Sequence, residues 1–258
     1  MRQRIRLALC CLIGFLPVAA AAQTRVVLLG TGTPNADPVR SGPSLAIVVR
    51  GSVYLVDAGP GVVRRAELAR QHGIDALTQP NLKIVFITHL HSDHTLGLPD
   101  LIFTPWVLDR TAPLEVYGPK GIKAMTAHLT AAYIEDVHVR TDGWQPQNTT
   151  GYRVIAHEIE PGVIYRDSNV TVTAFSVPHG SMPSAFGYRF ETADRTIVVS
   201  GDTGPTTAVI AACNGCDLLI HEVYSERGLA SRTADWKRYH RHFHTSSSEL
   251  AHVATEAH

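Results

Sequence analysis

Apolar residues along this chain fall in short runs, most of them closed by Gly, Asp or His. Arg25 to Leu29, Ser44 to Val49 and Val53 to Val56 read as strands, the last two as a hairpin about Arg50-Gly51-Ser52. A helix follows from Val62 to about Gln71, then a buried strand over Lys83 to Ile87, where β-branched and aromatic residues fill consecutive positions. After a further segment from Leu96 to Leu108, Leu114 to Tyr117 reads as a strand and Gly121 to Tyr133 as a helix. Asp136 to Arg140 and Tyr152 to Ile159 read as strands on either side of a loop around Trp144 to Asn148. Val170 to Val177 alternates, Ala185 to Glu191 pairs with Thr196 to Val199, and Asp217 to Ile220 follows a helix near Pro205 to Ala212. Ser225 to Phe243 is basic and irregular, and Thr245 or Ser246 is placed to cap a closing helix. No internal repeat or low-complexity linker interrupts this order, so one domain is expected.

What closes the runs is the informative part. Lys83 to Ile87 delivers Thr88-His89-Leu90-His91-Ser92-Asp93-His94; His89 and His91 are two apart on the strand end and share a face. Three imidazoles and a carboxylate within six positions are costly to bury unless a cation holds them. Nitrogen and oxygen donors of this kind suit zinc, with iron or manganese as alternatives. Later strands end in His179, Asp202 and His221, and the closing helix opens beside His244. Asp57, at another strand end, is either a carboxylate that orients a ligand imidazole or a helix N-terminal acid. Gly30-Thr31-Gly32-Thr33-Pro34 lacks the third glycine of a dinucleotide fingerprint and the GK[ST] of a phosphate loop, so it reads as a tight turn near the metal pocket.

Composition fits a globular chain: 258 residues, 45% apolar and 18% charged. Arg2, Arg4 and Arg6 precede an apolar run from Leu7 to Val18 and then Ala19-Ala20-Ala21-Ala22-Gln23, the order of a secretory signal cleaved after Ala22. That run is too short for a membrane span, so no membrane association is expected after cleavage, and the location expected is periplasmic or secreted. Without the three arginines, Lys+Arg falls from 23 to 20 against 23 Asp+Glu, a formal charge of −3. A nucleic-acid enzyme more often carries a basic excess, so no nucleic-acid partner is expected. Cys10 and Cys11 lie in the leader. Cys213 and Cys216 remain, as a local disulfide or as two thiols.

At these residues the chain resembles the metallo-β-lactamase fold superfamily. HLHSDH over 89–94 matches its HxHxDH motif, and His179, Asp202 and His244 fall where its later ligands are found. The resemblance implies an α/β (α+β) fold, a four-layer αββα sandwich filling residues 23–258, with a dinuclear site at one sheet edge. It implies that His89, His91 and His179 hold one metal, that Asp93, His94 and His244 hold the other, and that Asp202 bridges them. The GTGTP opening, the SGDT segment and Leu219-Ile220-His221-Glu222-Val223-Tyr224 are similar to the branch containing ribonuclease Z and the zinc-dependent arylsulfatases. In that branch the histidine matching His221 assists the leaving group; a buried, hydrogen-bonded histidine is the alternative.

Three features weigh toward the arylsulfatase side. Only one hairpin separates His179 from Asp202, where many ribonuclease Z members carry a tRNA-clamping arm. Arg40-Ser41 stands where that family has Arg-Asn, and the leader exports the chain. The family also continues into another strand beyond the last helix, so the chain is expected to be a fragment or to complete that sheet edge otherwise.

The function expected from sequence is therefore an exported dizinc hydrolase of a small anionic sulfate or phosphate ester. Its alternatives are a ribonuclease Z-type tRNA 3′ endonuclease, a lactonase and a non-catalytic metal-binding protein. Two divalent cations roughly 3.5–4 Å apart share a water and bring its pKa toward neutrality. Asp93 orients that nucleophile and His221 protonates the departing oxygen. Arg227, Arg232, Lys237, Arg238 and Arg241 form either a lid for anionic esters or a solvated loop. Arg238, Trp236 and Tyr224 are the substrate-binding candidates, His240 and His242 are not assigned as ligands, and a homodimer stays open.

Overall fold

The computed structural model describes residues 24–258, and the leader with its predicted cleavage point lies outside the described residues. Eleven strands form two sheets among the described residues. The first runs in spatial order β1 (Arg25–Gly30), β2 (Ser44–Val49), β3 (Ser52–Val56), β4 (Ile84–Phe86), β5 (Leu114–Gly118) and β6 (Val154–Glu158). β1 to β3 pair antiparallel, whereas β3 to β6 are parallel, so the C-terminal ends of β3 and β4 open on the same edge. The second sheet holds β7 (Gly162–Arg166), β8 (Val170–Ser176), β9 (Phe186–Thr192), β10 (Thr196–Val199) and β11 (Leu218–Ile220). There β8 and β10 both run antiparallel to β9, and β11 runs parallel to β10, so these three strands also end together.

Alternation along the strands builds four layers. Leu45, Ile47 and Val49 of β2 point between the sheets with Tyr54, Phe86, Val172, Tyr188 and Phe190, while Ala46 and Val48 point the other way. On that outer face the first sheet buries Leu55, Val85 and Val116 against α1 (Val62–Gln71), α3 (Leu98–Val107) and α4 (Ile122–Ala132). α2 (Ser92–Thr95) is a single turn at the end of β4. The second sheet packs Val198 and the end of β8 against α6 (Thr207–Cys213) and α9 (Ser247–Glu256), between which α7 (Glu226–Ala230) and α8 (Ala234–Phe243) intervene in sequence. This is the expected αββα sandwich in one domain. No helix among the described residues is long and apolar enough to cross a membrane.

Three expectations are corrected. Asp136 to Arg140 is not a strand but lies in α5 (Ile134–Asp142); its alternating valines misled, since Val137 is buried and Val139 is 66% exposed. Glu135 and Asp136 in its first turn and the Arg140–Asp136 pair at 2.9 Å favour the helix. The stretch Ser225 to Phe243 is not irregular; Ser225 and Thr233 cap α7 and α8 through their side chains. β7 has no counterpart in the sequence reading, because Pro161 precedes it, Gly162 opens it and its residues are exposed or half-buried.

Other local readings hold. Ser246 caps α9 in a full capping box with Glu249, and Cys213 and Cys216 form the local disulfide. α3 also contains Pro105, which cannot donate to Leu101 O. The fully buried Arg110 fills that gap: Nη1 donates to Leu101 O at 2.8 Å and Leu82 O at 2.8 Å, and Nη2 to Ile102 O at 2.6 Å and Gly151 O at 2.9 Å.

Candidate metal centre

β4 ends one residue before Ile87, whose N–H still donates to Tyr117 O at 2.7 Å; the chain then turns through His89 and His91 into α2. The turn lies on backbone rather than on side chains. Ala58 N–H donates to His94 O at 2.9 Å and Gly97 N–H to Ala58 O at 2.8 Å. A Cβ at Gly97 would stand 2.4 Å from Gly59 O, and one at Gly59 would stand 2.7 Å from Asp93 O. Glycine at both positions lets the end of β3 press against the HLHSDH turn.

Asp57 ties these two segments together. It is buried and holds a positive φ of 59°, a conformation that Asp tolerates better than most residues. Its carboxylate accepts from Thr88 N at 2.8 Å, from Thr88 Oγ1 at 3.0 and 3.1 Å, and from His94 Nδ1 at 2.8 Å. The helix-end alternative for Asp57 is set aside, since all its contacts face the histidine turn. Because the single hydroxyl proton of Thr88 goes to Asp57, Thr88 Oγ1 accepts from His89 Nδ1 at 3.0 Å. Both imidazoles are thereby fixed with Nδ1 protonated and Nε2 turned toward the centre.

The remaining ligands arrive from the second sheet. His179 follows β8 and donates from Nδ1 to Phe243 O at 2.8 Å, which again leaves Nε2 bare. Asp202 follows β10 through Gly201 at φ +62°, where a Cβ would collide with Phe186 O and the Thr88 side chain. His244 caps the C-terminus of α8; its Nδ1 stands 3.4 Å from Glu222 Oε2, while Glu222 Oε1 accepts from Thr245 N at 2.8 Å.

The seven residues singled out in the sequence meet. His89 Nε2 and His179 Nε2 lie 2.9 and 3.1 Å from His91 Nδ1. His94 Nε2 lies 3.6 Å from Asp93 Oδ2 and 3.5 Å from Asp202 Oδ2, and His244 Nδ1 lies 3.9 Å from Asp202 Oδ2. Two compact donor sets result, His89 with His91 and His179, and His89 with His94 and Asp202. Burial holds His89 down at about 2 and His179 at about 4, and lowers His91, so these rings are neutral, the form that binds metal. Burial opposes charge on His94 as well, but Asp57 and Asp202 outweigh it and raise that ring. Asp202 is held ionised by its histidine neighbours against the cost of burial.

These residues fit a metal. His94 Nε2 is buried with no hydrogen-bond partner and points between two carboxylate oxygens, so the proton that the raised ring keeps there is the one a cation would displace. Converging nitrogens about 3 Å apart match the edges of a tetrahedron with bonds of about 2.0–2.1 Å, as zinc forms with imidazole. Crowding lone pairs in this way without a cation is unfavourable.

Not every candidate joins the cluster. His221 ends β11 with Nδ1 against Glu222 O at 2.6 Å, and Trp236 stands 54% exposed on α8. Arg238 is engaged by Asp235 at 2.5 Å, and the Tyr224 ring packs on His240 rather than on a ligand. The sequence reading missed Thr88, Glu222 and Phe243. Glu222 had a signal, an acid beside His221 at a strand end. Phe243 had none, because it acts through its carbonyl.

Residues 53–258 match the family profile described as a beta-lactamase superfamily domain. The chain belongs to that superfamily. Within it, a ribonuclease Z from Mycobacterium sp. (strain KMS) is 34% identical over 234 residues, 90% of this chain and 80% of the relative, which places the chain in the ribonuclease Z branch. A second ribonuclease Z, from Mycobacterium bovis (strain BCG / Pasteur 1173P2), is 33% identical over 77% of this chain and 69% of its own length. Human tRNase Z, short form, shares the fold with a TM-score of 0.66 at 22% identity, covering 91% of this chain and 89% of that one. This superfamily member is accordingly a metal-dependent hydrolase of ester bonds.

These relatives overturn two expectations, the arylsulfatase-like reading and the exclusion of nucleic acid in favour of a small anionic ester. The errors share a physical cause. A formal charge of −3 describes the whole surface, and a missing arm describes one loop. Neither describes the charge next to the metal centre, which is what a polyanion meets.

Proposed function

We propose that the chain is a ribonuclease Z-type phosphodiesterase that cleaves RNA, with the 3′ end of a precursor tRNA as its reference substrate. The observation that carries this is the 34% identity to a ribonuclease Z over 90% of the chain. Two zinc ions are the proposed cofactors, with iron or manganese as alternatives. His89, His91 and His179 would hold one and Asp93, His94 and His244 the other, with Asp202 shared. When bound, such a pair lowers the pKa of a water and neutralises charge developing on phosphoryl oxygens.

The chain's own residues supply the rest. The Asp93 carboxylate makes no hydrogen bond among the described residues, so it is available to accept from the attacking water and orient it. His221 Nδ1 donates to the Glu222 carbonyl, which fixes the ring and leaves Nε2 to hand a proton to the departing ribose oxygen. Thr88 and Asp57 keep His89 and His94 in the tautomers that ligation requires.

Metal-loaded protein should cut a precursor tRNA carrying a 3′ extension, and bis-p-nitrophenyl phosphate more slowly. Asp93→Ala should abolish both reactions, and His221→Ala should slow RNA far more than the phenolate ester, whose leaving group needs no proton. Metal-loaded protein that cuts neither substrate overturns the proposal; equal losses for His221→Ala on both remove that residue from the acid role. We also take residues 1–22 as a cleaved export leader, which would put the RNA substrate outside the cytoplasm. A mature N-terminus at Gln23 supports this, and an intact Met1 refutes it.

A further inference from the structure

α8 carries a row of rings that leads from solvent to the metal centre. Trp236, Tyr239, His240 and Phe243 recur at helical spacing on one face. Trp236, 54% exposed, stands edge-on to Tyr239 at 5.6 Å; Tyr239 stacks on Phe243 at 4.5 Å and lies 5.6 Å from His244. Phe243 meets His179 edge-on at 5.2 Å, and its carbonyl accepts from the same imidazole. The row is therefore anchored at its inner end to two proposed ligands and opens outward at Trp236.

Cations flank it. Arg227 lies on α7, Arg232 in the following turn, and Lys237, Arg238 and Arg241 on α8, with Lys237 and Arg241 one turn apart. Among the described residues only Arg238 of these five has a carboxylate partner. Unpaired cations beside an exposed ring make the combination that binds single-stranded nucleic acid without base preference: charge tracks the phosphates, and the ring takes a base face.

We infer that α8 is a stacking platform for single-stranded RNA next to the scissile phosphodiester, with Trp236 receiving a base and Lys237 and Arg241 the flanking phosphates. The inference rests on the phosphodiesterase reading above and deepens it. It also accounts for how a chain with one hairpin between His179 and Asp202 holds a polyanion, since the contact comes from the helix that ends in His244.

The test follows the KM of metal-loaded protein for an RNA with a single-stranded extension as salt is varied. Trp236→Ala should raise KM about tenfold, within the range for losing one base stack, and Trp236→Tyr should restore most of it. Lys237→Gln/Arg241→Gln should raise KM and flatten the dependence of log(1/KM) on log[salt] by about 1.4, some 0.7 for each phosphate on a single strand. Lys83→Gln/Arg195→Gln, an equal loss of charge at the opposite sheet edge, should change neither quantity. RNA cleaved with KM and salt slope untouched in the α8 variants, or flattened equally by the control pair, ends this inference and leaves the phosphodiesterase reading standing. RNA left uncut by the unaltered enzyme removes both.

Discussion

Asp57→Asn isolates the part of the centre that no metal touches. The substitution keeps size and tolerates the positive φ of 59°, so the backbone is not the variable. Its chemistry is forced by Thr88. The backbone N–H of Thr88, 2.8 Å from Oδ1, can only donate, so the amide oxygen must stay there and the NH2 must take the place of Oδ2. Oδ2 is the atom that accepts from His94 Nδ1 at 2.8 Å. Facing an NH2, His94 must present Nδ1 as an acceptor and move its proton to Nε2, where Asp202 and Asp93 oxygens at 3.5 and 3.6 Å accept it. The lone pair needed for metal is then occupied. Losses of 10- to 100-fold in metal affinity are typical when the partner of a ligand imidazole is removed, about 1.4–2.7 kcal/mol. Competition against a chromophoric chelator measures the affinity, and nitrogen NMR of the metal-free protein reads the His94 tautomer. Zinc affinity within twofold of the parent, or a His94 Nδ1 still protonated in the variant, would refute the reasoning.

Three further changes test the scaffold. Gly97→Ala puts a methyl 2.4 Å from Gly59 O and 2.7 Å from Ala58 O, both backbone atoms; overpacking of about 1–3 kcal/mol should lower Tm by several degrees and metal content with it, and a Tm within 1 °C of the parent, roughly the scatter of the melt, would contradict the close packing. Arg110→Met leaves four buried carbonyls without their donor, so a loss of at least about 3 kcal/mol in urea unfolding is expected, whereas a neutral result would show that water replaces the guanidinium. Asp167 is held below the usual carboxylate range: burial opposes its charge, but the Tyr54 hydroxyl, the backbone N–H groups of Asn169 and Val170, and the Tyr165 hydroxyl outweigh it. Its contribution is therefore present above the unfolded value of about 3.9 and lost as pH falls through the lower folded value, so the Tm gap between the parent and Asp167→Asn should shrink below about pH 4. A gap that stays constant down to pH 2 would rule this out.

Several of the ligands were legible because they stand where a strand runs out. An apolar run fixes direction and length, so a polar residue at its end is placed at a sheet edge without knowledge of the tertiary structure. His89, His179 and Asp202 are of this kind, and β8 and β10, both antiparallel to β9, deliver His179 and Asp202 to one edge of the second sheet. The tautomer-setting contacts were only half legible. Asp57 announced itself by type and position, but Thr88 and the Phe243 carbonyl have no side-chain chemistry that separates them from ordinary strand and helix residues. Asp136 to Arg140 failed for another reason: alternation over five residues cannot be told from one helical turn when a single valine is buried.

α8 exposes the limit of summing charge over a chain. Net charge sets the far field, yet screening confines an exposed charge to about 8–10 Å, so a polyanion at the metal centre responds to the few cations within that radius. Lys237 and Arg241 lie on the helix whose end residue, His244, is a proposed ligand, while most acids of the chain lie elsewhere. A negative total therefore gives no ground for excluding RNA. The same locality makes the salt slope more telling than affinity: two cations on α8 change it by a countable amount, and two at the far edge by none.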